Sequence, residues 1–478
     1  MPFVHQARPF RLLVLLALCF LAIPASVMTG VDHHSVSGLD RQFQSAVTLY
    51  QNKQFDKAQQ ILSRLLRSLP NDFQVNELMG MVCSAQNKAA EATAYFTKAV
   101  RLQPDSADAR TALAANLVEL HKNTAAESQF KKAAALDPDS YGTNHNMGEF
   151  YIQTGSLSAA VPYLTKAQSI EPSSYDNGYD LALAQIKTSA ARAARKNIER
   201  LLTIRNTAEL HSLLATADEQ SGQYLEAANE YQLAAHMDPS EANIFAWGSE
   251  LLVHHTLEPA VQVFSRGAGL YPRSARLQVG LGIALYSRTH YADAIDAFCR
   301  AIDLNPGDAR PYMFLGKIYD VSPLQAAAVT KRFARYARLQ PHNPQALYYY
   351  AMSLWKASRI ENKPVDLQKV EKLLETAVAV EPAFAQARLQ LGIFYIQQRR
   401  YADAIAQYRR AIRQQPDLAD AHYRLGEALV RTGQRAAGQQ EFEVFNCLHE
   451  AQVKEREKQR SQILQFVYTA SPPAKGSN

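Results

Sequence analysis

The sequence predicts an all-α solenoid built from repeated helix pairs, and three observations support this. Proline recurs at a period close to 34 residues, and a large apolar residue followed by a small one recurs at the same period. Between these marks, apolar residues are spaced three and four apart, as on one face of a helix. A repeat of this length fits two helices of about four turns each and two short turns. The 478 residues therefore indicate one elongated array rather than several globular domains.

The prolines mark the end of the second helix of each repeat. They stand at Pro70, Pro104, Pro138, Pro172, Pro239, Pro272, Pro306, Pro341, Pro382 and Pro416, with Asn206 at the place of a missing proline. Proline cannot donate to the hydrogen-bond ladder of a helix, so each one stops the helix before it. The Asp or Ser that follows is predicted to cap the next helix, at Asp105, Asp139, Ser173, Ser240 and Ser274.

The large and small residues stand together in most repeats, as in Met79-Gly80 and Leu281-Gly282, and an alanine follows twelve residues after the small one. A glycine inside a helix costs about 1 kcal/mol relative to alanine, so its recurrence needs a packing reason. We expect the two helices of a repeat to approach closely there, for example at Gly80 and Ala92 or at Gly282 and Ala294.

This pattern resembles the tetratricopeptide repeat family. The resemblance covers about residues 39–450 as twelve repeats. It implies a right-handed α-α superhelix whose concave groove is lined by the first helix of each repeat. The tenth repeat carries about seven extra residues around 360–367, for which we predict a longer surface loop, with a hinge or docking loop as the alternative.

Both ends of the chain lie outside the repeats. Residues 1–27 combine positive charge with the apolar run Leu12–Ile23 and predict a signal peptide, with an uncleaved membrane anchor as the alternative. Either leader makes this an exported protein, periplasmic or secreted. Residues 28–38 are predicted to be a linker, residues 451–467 a C-terminal capping helix, and residues 468–478 a disordered tail.

The motifs of catalysis are missing from the sequence. It has no phosphate-binding glycine loop and no His-Glu-x-x-His motif, and its four cysteines are scattered. The adjacent pairs His33-His34 and His254-His255 do not make a metal clamp, because neighbours on a helix point about 100° apart. The repeats also leave no segment for a separate catalytic domain. We therefore expect no enzymatic activity, no cofactor and no bound metal.

The geometry that the family resemblance implies points some residues of the first helices into the groove. These candidate partner-binding residues are Phe245, Met313, Lys317, Tyr348, Met352, Trp355, Tyr423 and Glu427. Aromatic and methionine side chains dominate binding hot spots, although packing against neighbouring helices is the alternative for each of them. On the binding interpretation, replacing Tyr348 and Trp355 by Ala weakens partner capture and leaves melting nearly unchanged.

Positive charge gathers near the C-terminal end of a chain whose formal net charge is +6. The predicted basic surface consists of Arg399, Arg400, Arg409, Arg410 and Arg413. It is either a solvated face or a contact for an acidic partner or an anionic membrane surface. Nucleic acid is not expected as a partner, since the protein is predicted to leave the cytoplasm.

The sequence thus predicts an exported, non-catalytic scaffold that binds other proteins or peptides through its groove. Two alternatives stay open. One is a membrane-tethered assembly factor for envelope polysaccharide or secretion machinery. The other is an accessory arm that presents substrate to a separately encoded transferase.

Overall fold

The computed structural model describes residues 33–322, 324–361 and 366–470, and these residues form 24 α-helices and no β-strand. The chain divides into two compact units, residues 1–227 and 228–478. Each unit has its own clusters of buried apolar side chains. The predicted signal peptide, residues 1–27, lies outside the described residues.

The first unit contains eleven complete helices, and α12 crosses the boundary between the units. Their bounds are α1 (His33–Gln51), α2 (Phe55–Ser68), α3 (Phe73–Ala85), α4 (Ala89–Leu102), α5 (Ala107–Glu119), α6 (Asn123–Leu136), α7 (Tyr141–Gln153), α8 (Leu157–Ile170), α9 (Tyr175–Lys187), α10 (Ala191–Ile204), α11 (Ala208–Gln220) and α12 (Tyr224–Met237).

The second unit continues the same alternation of helices. Their bounds are α13 (Glu241–Val253), α14 (Leu257–Leu270), α15 (Ala275–Ser287), α16 (Tyr291–Leu304), α17 (Ala309–Val321), α18 (Ala326–Leu339), α19 (Pro344–Glu361), α20 (Leu367–Val380), α21 (Ala385–Gln397), α22 (Tyr401–Gln414), α23 (Ala419–Arg431) and α24 (Arg435–Ala470).

The helices come in pairs of nearly constant length. α3 and α5 have 13 residues each, whereas α4 and α6 have 14. Most odd-numbered helices pack against the even-numbered helix that follows, as α3 does against α4 and α15 against α16. The turn within a pair contains a residue of positive φ, such as Asn87 at 61° and Gly155 at 75°. The predicted all-α array of helix pairs is therefore confirmed.

The helix caps follow the prolines, with one correction. Ser240 and Ser274 cap α13 and α15 as predicted. The caps predicted at Asp105, Asp139 and Ser173 are wrong by one residue, because the caps are Ser106, Ser140 and Ser174. The backbone N–H of Ser106 donates to the carbonyl of Gln103 at 3.2 Å, so Pro104 and Asp105 form the middle of a turn. The cap is the first residue after that turn.

The glycines lie where the two helices of a pair approach closely. A Cβ atom on Gly282 would lie 2.6 Å from the ring of Phe298, and one on Gly392 would lie 2.4 Å from the ring of Tyr408. The side chain that covers Gly282 is thus the ring four residues after Ala294, the residue predicted to meet it. The glycine is required because the bulky side chain of the second helix occupies the space of a Cβ.

The tenth repeat accommodates part of its extra residues as helix. α19 has 18 residues and extends to Glu361, and residues 362–365 of the predicted loop lie outside the described residues. Asp366 then caps α20, its carboxylate accepting a hydrogen bond from the N–H of Lys369 at 3.0 Å. Residues 360 and 361, predicted to lie in a loop, are therefore helical.

The ends of the array are more helical than the sequence predicts. α1 begins at His33, inside the segment predicted to be a linker. The segment 451–467, predicted to be a capping helix, continues α24, which starts at Arg435 and ends at Ala470. Residues 471–478 of the predicted tail lie outside the described residues.

Candidate binding surface

The odd-numbered helices form a continuous row within each unit. α1 contacts α3, and α3 contacts α5, while in the second unit α13 contacts α15 and α15 contacts α17. Side chains of this row that are not covered by the even-numbered helices form one surface, which we call the odd-helix face. The corresponding surface of the even-numbered helices is the even-helix face. The predicted groove residues all come from odd-numbered helices.

Three predicted groove residues of the second unit are exposed, although the ring of Tyr423 also packs against Phe442 and Phe445 of α24, at 5.6 and 5.2 Å between ring centroids. The side chains of Met313 and Tyr423 are 39% and 38% exposed. Lys317 is exposed as well, and it stands four residues after Met313 on α17, so the two share one face of the helix. The ammonium of Lys317 lies 5.6 Å from the ring centroid of Phe314. Met313 and Lys317 thus form an exposed apolar and cationic surface on α17.

Phe245 and Glu427 are half-buried and already have neighbours. The ring of Phe245 lies 6.0 Å from the ring of Phe264, and the guanidinium of Arg276 lies 4.9 Å above it. The carboxylate of Glu427 accepts a hydrogen bond from Arg424 at 2.9 Å. A partner that binds these residues has to compete with, or extend, those contacts.

Tyr348, Met352 and Trp355 are buried, which supports the packing alternative over partner binding for these three residues. They are 8%, 5% and 6% exposed. The ring of Tyr348 lies 5.3 Å from that of Phe384, and the Trp355 indole meets Phe394 edge-on at 5.4 Å. Phe384 is the N-cap residue of α21 and Phe394 lies within that helix, so this part of the chain covers Tyr348 and Trp355. Because Tyr348 and Trp355 are buried, we now expect their replacement to lower the melting temperature, contrary to the expectation from the sequence.

The predicted basic surface lies partly on the even-helix face. Arg409, Arg410 and Arg413 are exposed on α22. Arg388 on the neighbouring α21 is buried, and its Nε donates to the carbonyl of Pro382 at 2.9 Å. Burial lowers the pKa of the Arg388 guanidinium, and the positive charges of Arg410 and Arg413 lower it further. Positive charge is thus concentrated beside α22, away from the odd-helix face.

The other two predicted basic residues lie in the turn between α21 and α22. Arg399 is exposed and adopts a left-handed φ of 62°. Arg400 forms ion pairs with Glu371 at 2.5 Å and with Asp403 at 2.8 Å, and its guanidinium lies 4.1 Å from the ring centroid of Tyr395. The charge of Arg400 is therefore largely compensated within the chain.

A group of carboxylates on the odd-helix face of the first unit was not predicted. Burial and the Asp108 carboxylate on α5 raise the pKa of Glu77, on α3, to about 7. Burial and the Asp180 carboxylate on α9 raise the pKa of Glu149, on α7, to about 7. Each of these glutamates lies close to an acid on the next odd-numbered helix. The negative charge is therefore distributed over several neighbouring odd-numbered helices.

The described residues contain no group of three or more side chains arranged to hold a metal ion. Within the same part of the chain, none of the helices has both the length and the apolar character of a membrane span. A shallow cavity of about 230 Å³ lies between α12, α13 and α14, where His236, Trp247 and Arg266 contribute to its wall.

Comparison with known protein families identifies the repeat. Models described as tetratricopeptide repeat match residues 43–107, 141–174 and 245–309, and a model described as TPR repeat matches residues 394–433. The matched segments are similar to tetratricopeptide repeats. They coincide with consecutive helix pairs, for example α7 and α8 for residues 141–174. Matches occur in both units of the chain.

One curated relative shares part of the sequence. The cytochrome c-type biogenesis protein CycH of Pseudomonas aeruginosa (strain PAO1) is 28% identical over 136 residues. This stretch makes up 28% of the present chain and 32% of the relative. The chain thus matches about a third of the length of that protein.

Three solved structures are similar to this chain. Naa15/Naa10 bound to HypK-THB gives a TM-score of 0.41 at 15% identity, covering 85% of this chain and 68% of that one. The APC/C hetero-tetramer Cut9-Hcn1 gives 0.36 at 14% identity, covering 86% and 93%. MamA gives 0.30 at 20% identity, covering 36% and 97%.

Proposed function

We propose that this chain is an exported, non-catalytic scaffold that binds other proteins or peptides through its odd-helix face. The observation that carries the proposal is the exposure of Met313, Lys317 and Tyr423 on one row of tetratricopeptide repeat helices. A methionine and a tyrosine that keep over a third of their surface in solvent leave apolar area for a partner to bury. Export is proposed from the apolar leader, residues 1–27.

Lysine-specific crosslinking tests the binding face, because the chain offers a matched pair. Lys317 on α17 and Lys331 on α18 are both exposed, one on each face of the second unit. After treatment of intact cells with a membrane-permeant amine-reactive crosslinker, mass spectrometry should find partner peptides joined to Lys317. Lys331 should yield few or none.

A Lys317→Arg variant is the control, since it keeps the charge and removes the reactive amine. It should lose the crosslink while retaining the partner in co-purification. Partner peptides joined to Lys331 as often as to Lys317 would contradict the proposed face. The crosslinked partner also identifies the process in which the scaffold acts.

A second candidate, a membrane-tethered assembly factor, is favoured by two observations. The leader contains the apolar run Leu12–Ile23, and the relative that matches part of the chain is a biogenesis protein. The intact mass of the mature chain separates the candidates. A chain that begins near Ala25 supports the released scaffold, whereas a chain that keeps its leader in the membrane fraction supports the tethered factor. An accessory arm for a transferase requires that transferase activity co-purify with the chain.

A further inference from the structure

Charge is divided between the two faces of the first unit. The odd-numbered helices α1 to α11 carry ten acidic residues and three basic ones. The even-numbered helices α2 to α10 carry four acidic residues and twelve basic ones. In the second unit the odd-numbered helices α13 to α23 carry six acidic and eight basic residues, so the division is a property of the first unit.

Several buried polar atoms of the odd-numbered helices lack a hydrogen-bond partner within the described part of the chain, and two of them lie on α7. The Oε2 atom of Glu149 is buried without a hydrogen-bond partner. The Oδ1 atom of Asn146, whose side chain is 5% exposed, is also unpaired. Asn146 stands three residues before Glu149 on α7, so both side chains lie on one face of the helix. A buried acceptor without a donor is unfavourable, and an incoming N–H group would satisfy it.

We propose, on the basis of the scaffold function above, that the odd-helix face of the first unit binds a lysine- and arginine-rich segment of a partner protein. The carboxylates of Glu77, Asp108, Glu149 and Asp180 would pair with its cations. Lysine and arginine supply several N–H donors each, and charge-assisted hydrogen bonds to carboxylates are the strong ones. The basic even-helix face repels the same segment, which confines binding to one side of the unit.

The placement of the carboxylates favours an extended ligand over a single ion. One acidic pair joins α3 to α5, and the other joins α7 to α9, two odd-numbered helices further along the row. Adjacent helices pack about 10 Å apart, so the two pairs are separated by about 20 Å. An extended chain covers this distance with about six residues. A peptide of about 12 residues therefore spans both pairs.

Fluorescence anisotropy with the full mature chain tests this proposal. The probe is a labelled peptide of about 12 residues, in which lysines and arginines alternate with serine and glycine. A second peptide carries glutamates in place of the cations. The wild-type chain should bind the cationic peptide, release it as salt shortens the Debye length, and not bind the acidic peptide.

A matched pair of double variants locates the binding. Glu77→Gln with Glu149→Gln removes two charges from the odd-helix face. Glu91→Gln with Glu199→Gln removes two exposed carboxylates from the even-helix face, on α4 and α10. The first variant should bind the cationic peptide about tenfold more weakly, because it loses two partly desolvated carboxylates. The affinity of the second variant for the peptide should change by less than about twofold. Circular dichroism of each variant establishes that it is folded.

Three results would overturn the proposal: equal affinity of the first variant and the wild type, equal binding of the acidic peptide, or self-association that the first variant abolishes. The last result would mean that a second copy occupies the face. The Lys317 crosslinks remain as an independent readout. If they persist while peptide binding fails, only the cationic ligand is wrong, whereas their loss contradicts the scaffold function itself.

Discussion

Replacing Glu149 by Gln should stabilise the folded chain at neutral pH. Burial, with a smaller contribution from Asp180, raises the pKa of Glu149 from 4.5 to about 7. A carboxyl whose pKa rises on folding binds its proton more tightly in the folded state, so stability falls as the pH rises from 4.5 through 7. Above that range the carboxyl is ionised in both states and the full cost is present.

The size of this cost follows from the pKa values. One pKa unit corresponds to about 1.4 kcal/mol, so the rise from 4.5 to about 7 sets an upper limit of about 3–4 kcal/mol on the cost of folding with an ionised Glu149. The side chain is partly exposed, and water screens its charge, so a gain of about 1–3 kcal/mol is expected for the glutamine variant at pH 8. At pH 4.5 the gain should be small, because the carboxyl is largely protonated in the folded protein.

Urea unfolding followed by circular dichroism, at pH 4.5 and at pH 8, measures the effect. Glu91→Gln on α4 is the control, since this residue is exposed on the even-helix face and should change the unfolding midpoint little at either pH. A glutamine variant of Glu149 that is no more stable than the wild type at pH 8 would mean that the ionised carboxylate does not destabilise the folded chain. An equal gain at both pH values would contradict the prediction as well.

Three further predictions concern packing and capping. Gly392→Ala places a Cβ 2.4 Å from the Tyr408 ring and should destabilise the fold by about 1–3 kcal/mol. At Gly269 a Cβ meets nothing within 4 Å, so Gly269→Ala should stabilise the fold by up to about 1 kcal/mol. Urea unfolding midpoints that move in the same direction for both variants would contradict this. Trp355→Ala should lower the unfolding free energy by about 3–5 kcal/mol, because Trp355 is buried. A melting curve like that of the wild type would contradict the assignment of Trp355 to the core. Asp72→Ala removes the cap that accepts from the N–H of Val75 at 2.9 Å and should cost about 1 kcal/mol, while Asp72→Asn should be nearly silent in the same assay.

The period of the sequence predicts the helix pairs because each mark has a local physical cause. Proline stops a helix, and glycine is needed where a ring of the next helix lies over the backbone, as Phe298 does over Gly282. Three of the predicted caps lie one residue too early. The proline and the residue after it, such as Pro104 and Asp105, form the middle of a turn, and the helix begins only after that turn. Such a turn depends on backbone hydrogen bonds that the spacing of prolines does not report.

The candidate site was harder to predict. Tyr348 and Trp355 occupy groove positions on α19, yet α21 covers them, and the sequence of α19 alone does not say how closely the next odd-numbered helix packs. The acidic odd-helix face of the first unit could have been predicted from the distribution of charged residues in the sequence. Charges summed over the whole chain hide it, whereas charges summed separately over odd- and even-numbered helices reveal it.

Site-specific photocrosslinking in the second unit tests the binding face most directly. Met313 on α17 and Leu304 on α16 are 39% and 40% exposed, so a photoreactive amino acid at either place is equally open to solvent. The account predicts that a partner is captured in living cells from position 313 and not from position 304. Equal capture from the two positions, or capture from position 304 alone, would contradict it.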